Sequence, residues 1–466
     1  MTDAGLQPTQ GRRPLSARSV VCDALARQAQ RYPDLLTMEL ATPALEPRDA
    51  ALAHIIYDAA IRRWLTIAYL AETALSRKWS QIVHPLQGAI LAGAAQLLFL
   101  DRVPSYAAIN ESVEWAKHAA GDRAAGLVNA ALRGIGRGIF ADEAKPERLL
   151  ADRYDFESQQ LPLSDGRSLV LRGGKLKLPE DPLARMAVVT SHPRALLQAW
   201  AKEFGVEEAR RIALHSLCEA PIILNTRFAG AGEWTEVAAP HATAGSAVYA
   251  GLHDRLAGLL MATPRLWVQD PSASEAVESV SGAADDLSPS LIIDLCAGQG
   301  TKTRHLACTF PGARILATDT DGARLRSLRE AARSFPQIEV LEHHDVVSNF
   351  AGRADFVLLD VPCSNTGVLS RRPEARYRAA TGQLERLTKL QREILSCGAS
   401  LLAKGGTLLY STCSIEPQEN EEQAAWAVDH LGLALRSQSR THPSGLPGWA
   451  AKDYHDGSFR SRLVKL

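Results

Sequence analysis

Apolar positions recur with a helical period over residues 48–138. In "LQGAILAGAAQLLFLDRVP", Ile90, Ala94 and Leu97 stand at i, i+4 and i+7, and Pro104 closes the segment. "SYAAINESVEWAKHAA" repeats that spacing with Ile109, Val113 and Ala116, and "AGLVNAALRGIGR" repeats it with Leu127, Ala131 and Ile135. The pattern predicts a helical bundle over 46–140, preceded by a flexible leader over 1–45. Period and composition then change. "LPLSDGRSLVLRGGKLKLPEDP" predicts a small hairpin, with Ser168–Leu171 against Lys175–Leu178 around Gly173-Gly174, inside a linker over 141–190. "SHPRALLQAWAKEFGVEEARRIALHSL" predicts two helices parted by Gly205, and "APIILNTRF" predicts a strand that opens a small α+β subdomain over 191–270.

From residue 290 onward, short apolar runs alternate with amphipathic stretches. "LIIDLC", "ARILATD", "IEVLEHHD", "ADFVLLD" and "GTLLYSTCS" read as strands. "TKTRHLACTF", "DGARLRSLREAARSF" and a long segment over 381–403 read as helices between them. This alternation predicts a parallel sheet with helices on both faces, whose ligands bind beyond the carboxyl ends of the strands.

Composition narrows the class. The 466 residues are 46% hydrophobic and 22% charged, as in a globular protein of several domains. No apolar run approaches the ~18 residues that span a bilayer, and the N-terminus lacks an apolar signal core, so a cytoplasmic protein is expected. Seven cysteines at wide spacings, with no Cys-x-x-Cys, suggest neither a disulfide framework nor a zinc site, and no metal is expected. A formal net charge of zero excludes nucleic-acid binding by bulk charge alone. One local run is basic: Arg371, Arg372, Arg376, Arg378, Arg386, Lys389 and Arg392 stand against Glu374 and Glu385.

The candidate chemistry lies at the expected strand ends. "DLCAGQGTKT" puts Gly298 and Gly300 between a strand and a helix, where backbone can approach a ligand and the helix N-terminus offers N–H groups. Asp319 ends the second strand about 20 residues on, a placement that suits ribose hydroxyls, and Asp345 is expected at the end of the third, facing an adenine amino group. The Gly-Lys-Ser/Thr of a phosphate loop is missing, since Thr301 stands before Lys302-Thr303, so a ligand without a triphosphate, such as S-adenosylmethionine (SAM), fits. "LLDVPCSNTG" ends the fourth strand with Asp360, Pro362 and Cys363, and "YSTCSIEPQENE" ends the fifth with Cys413. Neighbouring strands lie ~5 Å apart, which would turn both thiols toward one pocket. Two thiols and a carboxylate beside a SAM site suit methylation of cytosine, whose C5 becomes nucleophilic only after a thiolate adds to C6.

Those residues also carry a family resemblance. Asp360-Val361-Pro362-Cys363-Ser364 with Thr366-Gly367-Val368, and Ser411-Thr412-Cys413-Ser414 with Pro417 and Glu419-Asn420, resemble the RNA cytosine-5 methyltransferases of the RsmB (Fmu/Sun) type. "LLFLDRVPSYAAINESVEWAK" and "GLVNAALRGIGR" look like the NusB-like RNA-binding bundle that such proteins carry before the catalytic domain. "HDGSFRSRLVKL" resembles the closing hairpin of the fold. The resemblance covers about residues 48–466. It implies a class I SAM-dependent methyltransferase domain over 271–466, Rossmann-like with a mostly parallel seven-stranded sheet.

By the same resemblance Cys413 is the nucleophile, Cys363 assists product release and Asp360 contacts the base near N3. Cys296, Ala297, Gly298, Gln299, Gly300, Thr301, Lys302, Asp319, Asp345 and Asp360 would bind SAM, and Lys302 would also approach the nucleotide phosphate. Arg371, Arg372 and Arg376 would contact RNA, most simply small-subunit (16S) rRNA, with the enzyme a monomer. The family usually has Ala-Pro-Gly-Gly-Lys in the first motif; Gly298-Gln299-Gly300-Thr301-Lys302 here moves toward the pattern of SAM-dependent methyltransferases in general. Two alternatives frame the reading. DNA cytosine-5 enzymes place the nucleophile in the Pro-Cys motif and lack the Thr-Cys motif. A non-catalytic RNA-binding or ribosome assembly factor with a decayed methyltransferase domain would not need SAM.

Overall fold

The computed structural model describes residues 15–37, 40–142, 144–281, 287–379 and 382–466. The chain divides into two compact units, one of residues 1–163 and 167–192, the other of 164–166 and 193–466.

In the first unit, α1 (Ala17–Arg31), α2 (Pro47–Arg62), α3 (Trp64–Leu75), α4 (His84–Phe99), α5 (Ser105–Ala120) and α6 (Asp122–Ile139) form the bundle. Residues 86–98 of α4 are all buried, so it is the central helix, and its neighbours need only one apolar face each. Ile90, Ala94, Leu97, Ile109, Ala116, Ala131 and Ile135 are buried as the spacing predicts. Val113 and Leu127 are half-buried, and Val128 and Leu132 take core positions instead.

The expected leader over 1–45 is corrected by α1, which packs against α4. A capping box joins Ser16 and Ser19, and Val21, Cys22, Leu25 and Ala29 are buried. Arg18 donates to Gln96 Oε1 at 2.6 Å and to Glu111 Oε1 at 2.7 Å. Alanine and glutamine fill much of the buried face, which mutes the apolar period. Residues 1–14 of the expected leader lie outside the described residues.

The expected hairpin partner is also corrected. β1 (Leu150–Ala151), β2 (Gln160–Pro162) and β3 (Ser168–Val170) form an antiparallel sheet in the order β1-β3-β2. Strand β3 therefore turns back at Asp165-Gly166, where Leu163 N–H donates to Arg167 O at 2.9 Å. Across Gly173-Gly174 there is only an isolated bridge from Gly173 to Leu176. Helix α7 (Pro182–Thr190) completes this unit.

The second unit begins with α8 (Arg194–Phe204) and α9 (Val206–His215), parted by Gly205 as expected. β4 (Ile223–Asn225), β5 (Ala238–Pro240), β6 (Ser246–Tyr249), α10 (His253–Ala262) and β7 (Trp267–Val268) follow, and their strands pair antiparallel in the order β5-β6-β4-β7. Helix α11 (Pro271–Glu278) leads into the main sheet.

That sheet alternates strand and helix: β8 (Leu291–Asp294), α12 (Thr301–Thr309), β9 (Arg314–Ala317), α13 (Gly322–Ala332), β10 (Ile338–Val340), α14 (His343–Asn349) and β11 (Ala354–Asp360). The short α15 (Ala375–Arg378) and long α16 (Gln383–Leu401) precede β12 (Leu402–Thr412), α17 (Glu421–Leu431), β13 (Leu433–Thr441) and β14 (Ser458–Lys465). The helix expected over 381–403 is thus α16; residue 381 lies outside the described residues. Strand order is β10-β9-β8-β11-β12-β14-β13, parallel from β10 to β12, with β14 antiparallel to both neighbours. Both faces are covered. Ile293, Val357, Leu359 and Leu408 enter one core, and the intervening Ile292, Phe356, Leu358 and Leu409 enter the other. That is why these strands read as continuous apolar runs. The order reverses between β8 and β11, which opens a crevice at their carboxyl ends.

Candidate active site

Strands β11 and β12 pair in parallel with Asp360 beside Ser411, so the two cysteine loops emerge side by side. Cys363 Sγ and Cys413 Sγ are 3.2 Å apart. Cys363 is buried and Cys413 is half-buried. The hydrogen bond between the thiols, and then burial, push the Cys363 thiol well above its ordinary range, so it keeps its proton at neutral pH.

Residues that the motif reading left without roles hold this pair. Asn365 takes a left-handed conformation (φ 62°); its Oδ1 accepts from Cys413 Sγ at 3.2 Å and its Nδ2 donates to Cys363 O at 2.9 Å. Buried Glu419 accepts from Ser364 N–H at 2.8 Å, from Ser364 Oγ at 2.5 Å and from Gln391 Nε2 at 3.0 Å. Asn420 bonds Thr412 Oγ1 and Ser414 O, on either side of Cys413. Gly367 N–H donates to Cys413 O at 3.0 Å, and a Cβ there would lie 2.7 Å from that oxygen and 2.5 Å from Gly457 O. Only glycine fits between those backbones.

Asp360 stands beside the thiols with both oxygens engaged. Oδ1 accepts from Ser411 Oγ at 2.7 Å and Oδ2 from Lys302 Nζ at 2.8 Å. Burial alone would lower the Lys302 pKa, but the Asp360 carboxylate more than offsets it and holds the ammonium charged. Lys302, expected to approach a phosphate, is thus committed to Asp360.

On the other side of Lys302, the loop after β8 turns at Gly298 and Gly300, both at positive φ. Ala297 N–H donates to Thr318 O at 2.9 Å, and Gly298 N–H donates to Asp319 Oδ2 at 3.0 Å. A Cβ on Gly300 would press to 2.8 Å from Leu328 Cδ1, whereas one on Gly298 would meet nothing within 4 Å. The loop is therefore backed by α13 on one side and borders open space on the other. Cys296, Gln299 and Thr301 are partly exposed along it. A bare backbone turn with a carboxylate at the end of the second strand fits a nucleoside with free ribose hydroxyls. Asp270, Lys302, Ser411, Cys413 and Asp456 line a small cavity of ≈ 40 Å³. A larger one, ≈ 540 Å³, lies beside Ser290 and Ala313 at the amino ends of β8 and β9, away from every motif.

Comparison with known proteins bears on this arrangement. Residues 285–445 match the model of the 16S rRNA methyltransferase RsmB/F family, and residues 16–137 match that of the NusB family. The chain carries an RsmB/F-type RNA methyltransferase domain and a NusB domain. Ribosomal RNA small subunit methyltransferase B of Vibrio cholerae is 29% identical over 424 residues, 88% of each chain. The probable ribosomal RNA small subunit methyltransferase B of Bacillus subtilis is 27% identical over 424 residues, 87% of each. The crystal structure of PH0851 has the same fold, with a TM-score of 0.68 at 20% identity over 98% of this chain and 100% of that one. The RsmB/F family is SAM-dependent, and specificity for C5 of cytosine comes with it.

Within this RsmB/F domain three expected contacts move. Asp345 does not end the third strand: β10 stops at Val340, and Asp345 is an exposed residue in the first turn of α14. Arg376 is fully buried and donates to Pro373 O, Ser216 O and Leu369 O, so it is no RNA contact. Arg371 is held by Asp456 and Asp270, which leaves Arg372 as the exposed member of the expected trio. A charge run in sequence does not reveal which arginines turn inward. Among the described residues no helix is long and apolar enough to cross a membrane.

Asp294, the last residue of β8, is fully buried and accepts from Thr303 Oγ1 at 2.7 Å. Burial raises its pKa from 3.8 to about 7 against the Thr303 bond. Between those values the folded state holds a proton that the unfolded state has released, so this group costs stability as pH rises from about 4 to about 7. Asp294→Asn, neutral throughout, is expected to gain stability relative to the parent over that range, by on the order of 2–4 kcal/mol at pH 7. Denaturant titrations of both proteins at pH 4.5 and 7.5 check this; an equal difference at the two pH values contradicts it.

Proposed function

We propose that the enzyme methylates C5 of a cytosine in small-subunit ribosomal RNA through a covalent bond between Cys413 and C6. The observation that carries this reading is the 3.2 Å approach of Cys363 and Cys413 next to an Asp360 already oriented by Lys302 and Ser411. The names of the Vibrio cholerae and Bacillus subtilis relatives support rRNA as the substrate.

In this reading Asp319 and the backbone from Cys296 to Thr301 hold SAM, which supplies an electrophilic methyl group. Cys413 adds as thiolate to C6, and the displaced π electrons make C5 nucleophilic. The proton that Cys413 gives up reaches N3, where charge builds as the adduct forms, and N3–H then donates to the Asp360 carboxylate. After C5 has taken the methyl group, its proton leaves to a water-borne base, the C6–S bond breaks and the electrons return to Cys413. Cys363 keeps its own proton and donates S–H to the departing sulfur, which eases release. The target base has to leave its stack to reach the thiols.

Cys413 beside the Pro-Cys cysteine disfavours DNA as substrate, since an enzyme with its nucleophile in the Pro-Cys motif has no use for a second thiol there. The non-catalytic alternative draws no support from a site whose thiols, carboxylate and lysine are all in place. Bisulfite sequencing of 16S rRNA from a strain lacking the gene tests the reading. One cytosine should lose its protection and regain it on complementation; an unchanged bisulfite pattern would overturn the assignment.

A further inference from the structure

Beside the thiols lies a buried charged cluster that the reaction as described does not use. Arg371 engages all three of its nitrogens: Nε donates to Asp456 Oδ2 at 2.5 Å, Nη2 to Asp270 Oδ2 at 3.3 Å and Nη1 to Pro221 O at 3.1 Å. Its guanidinium also lies 5.4 Å from the centre of the Tyr454 ring. The two carboxylates are almost wholly buried, with side chains 7% (Asp270) and 3% (Asp456) exposed. They are linked directly as well, since Asp456 N–H donates to Asp270 Oδ1 at 3.0 Å. Asp270 also accepts from Ser272 N–H at 3.0 Å and so starts α11. Three segments far apart in sequence meet on one guanidinium, whose planar fork alone can address both carboxylates.

This cluster connects to the thiol through backbone. Gly457, next to Asp456, donates its N–H to Gly367 O at 2.8 Å, and Gly367 donates to Cys413 O at 3.0 Å. The place of a Gly367 Cβ is 2.5 Å from Gly457 O and 2.7 Å from Cys413 O, so the three backbones touch without slack. Asp270, Asp456, Gly457 and Cys413 line the same small cavity. A shift of Asp456 therefore moves the wall that fixes Cys413.

We propose that Arg371 is a positioning residue for Cys413: by clamping Asp456 and Asp270 it sets, through Gly457 and Gly367, the place from which the thiol attacks. This rests on the reading of Cys413 as nucleophile. Electrostatics agree, because two adjacent buried carboxylates require a cation between them, and burial followed by the neighbouring Asp456 charge already raises the Asp270 pKa.

The full-length enzyme tests this with Arg371→Lys, Asp456→Asn and the double variant, each assayed where circular dichroism shows it folded. The readouts are the single-turnover rate of covalent complex formation on RNA containing 5-fluorocytosine, and RNA affinity as a function of salt. Positioning predicts that both single variants lose at least ~10-fold in rate with RNA affinity and salt slope unchanged, and that the double variant is no slower than the worse single. A phosphate contact predicts the opposite: Asp456→Asn keeps the parent rate, and Arg371→Lys, which retains the charge, does so too. Either single variant reacting at the parent rate overturns the proposal. Peptide mapping of the parent complex separates this from failure of the nucleophile assignment: an adduct on Cys413 with unaffected variants sinks the positioning role alone, and an adduct on another residue sinks the reading beneath it.

Discussion

Cys413→Ala is expected to lower single-turnover methyl transfer to RNA by at least about 10⁴-fold while SAM binding stays at the parent level. The size follows from chemistry. Without a bond at C6, C5 of cytosine is not a nucleophile, and the remaining groups can only orient a base that does not react. The variant should stay folded, because Cys413 is half-buried and, among the described residues, the polar partners of its Sγ are Cys363 and Asn365. The backbone bonds that hold the loop, from Gly367 N–H to Cys413 O and from Thr412 Oγ1 to Asn420, do not involve the sulfur. Transfer of labelled methyl from SAM to a small-subunit rRNA transcript measures it. Activity within 10-fold of the parent would show that the thiol does not carry the reaction.

The second large effect lies at the other sulfur. Cys363→Ala is expected to form the covalent complex on ordinary cytosine RNA at near the parent rate, and then to lose about 10²–10³-fold in release. Cys363 sits 3.2 Å from the sulfur that must leave, and the bond between the thiols, with burial, keeps it protonated. In the proposed mechanism its contribution is a hydrogen bond to a departing thiolate, felt after methyl transfer and not before it. Protein-linked RNA on a denaturing gel should therefore accumulate with the variant and not with the parent. Normal turnover with no trapped RNA would remove this role from Cys363.

Much of the site was legible because a parallel sheet puts its chemistry at strand ends, and a strand end is visible in sequence. Asp294, Asp360 and Cys413 each follow an apolar run that is continuous because two cores bury it. The contacts that organise those ends were not legible. Asn365, Glu419 and Arg371 act on residues 48, 55 and 85 positions away, and no local period encodes such distances. Asp345 misplaced itself because β10 is only three residues long and the chain has turned into α14 before it arrives. Helix α1 escaped notice because alanines and Gln28 share its buried face, whereas its capping box of Ser16 and Ser19 was the available signal. Arg376 illustrates the limit of charge counting: a guanidinium that satisfies three carbonyls inside the protein looks the same in sequence as one facing RNA.

We propose that the Thr-Cys thiol, and not the Pro-Cys thiol 3.2 Å away, attacks the base. Trapping the intact enzyme on 5-fluorocytosine-containing RNA, followed by nuclease and protease digestion and mass spectrometry of the linked peptide, tests it most directly. The nucleotide is expected on Cys413; finding it on Cys363 would overturn the proposal.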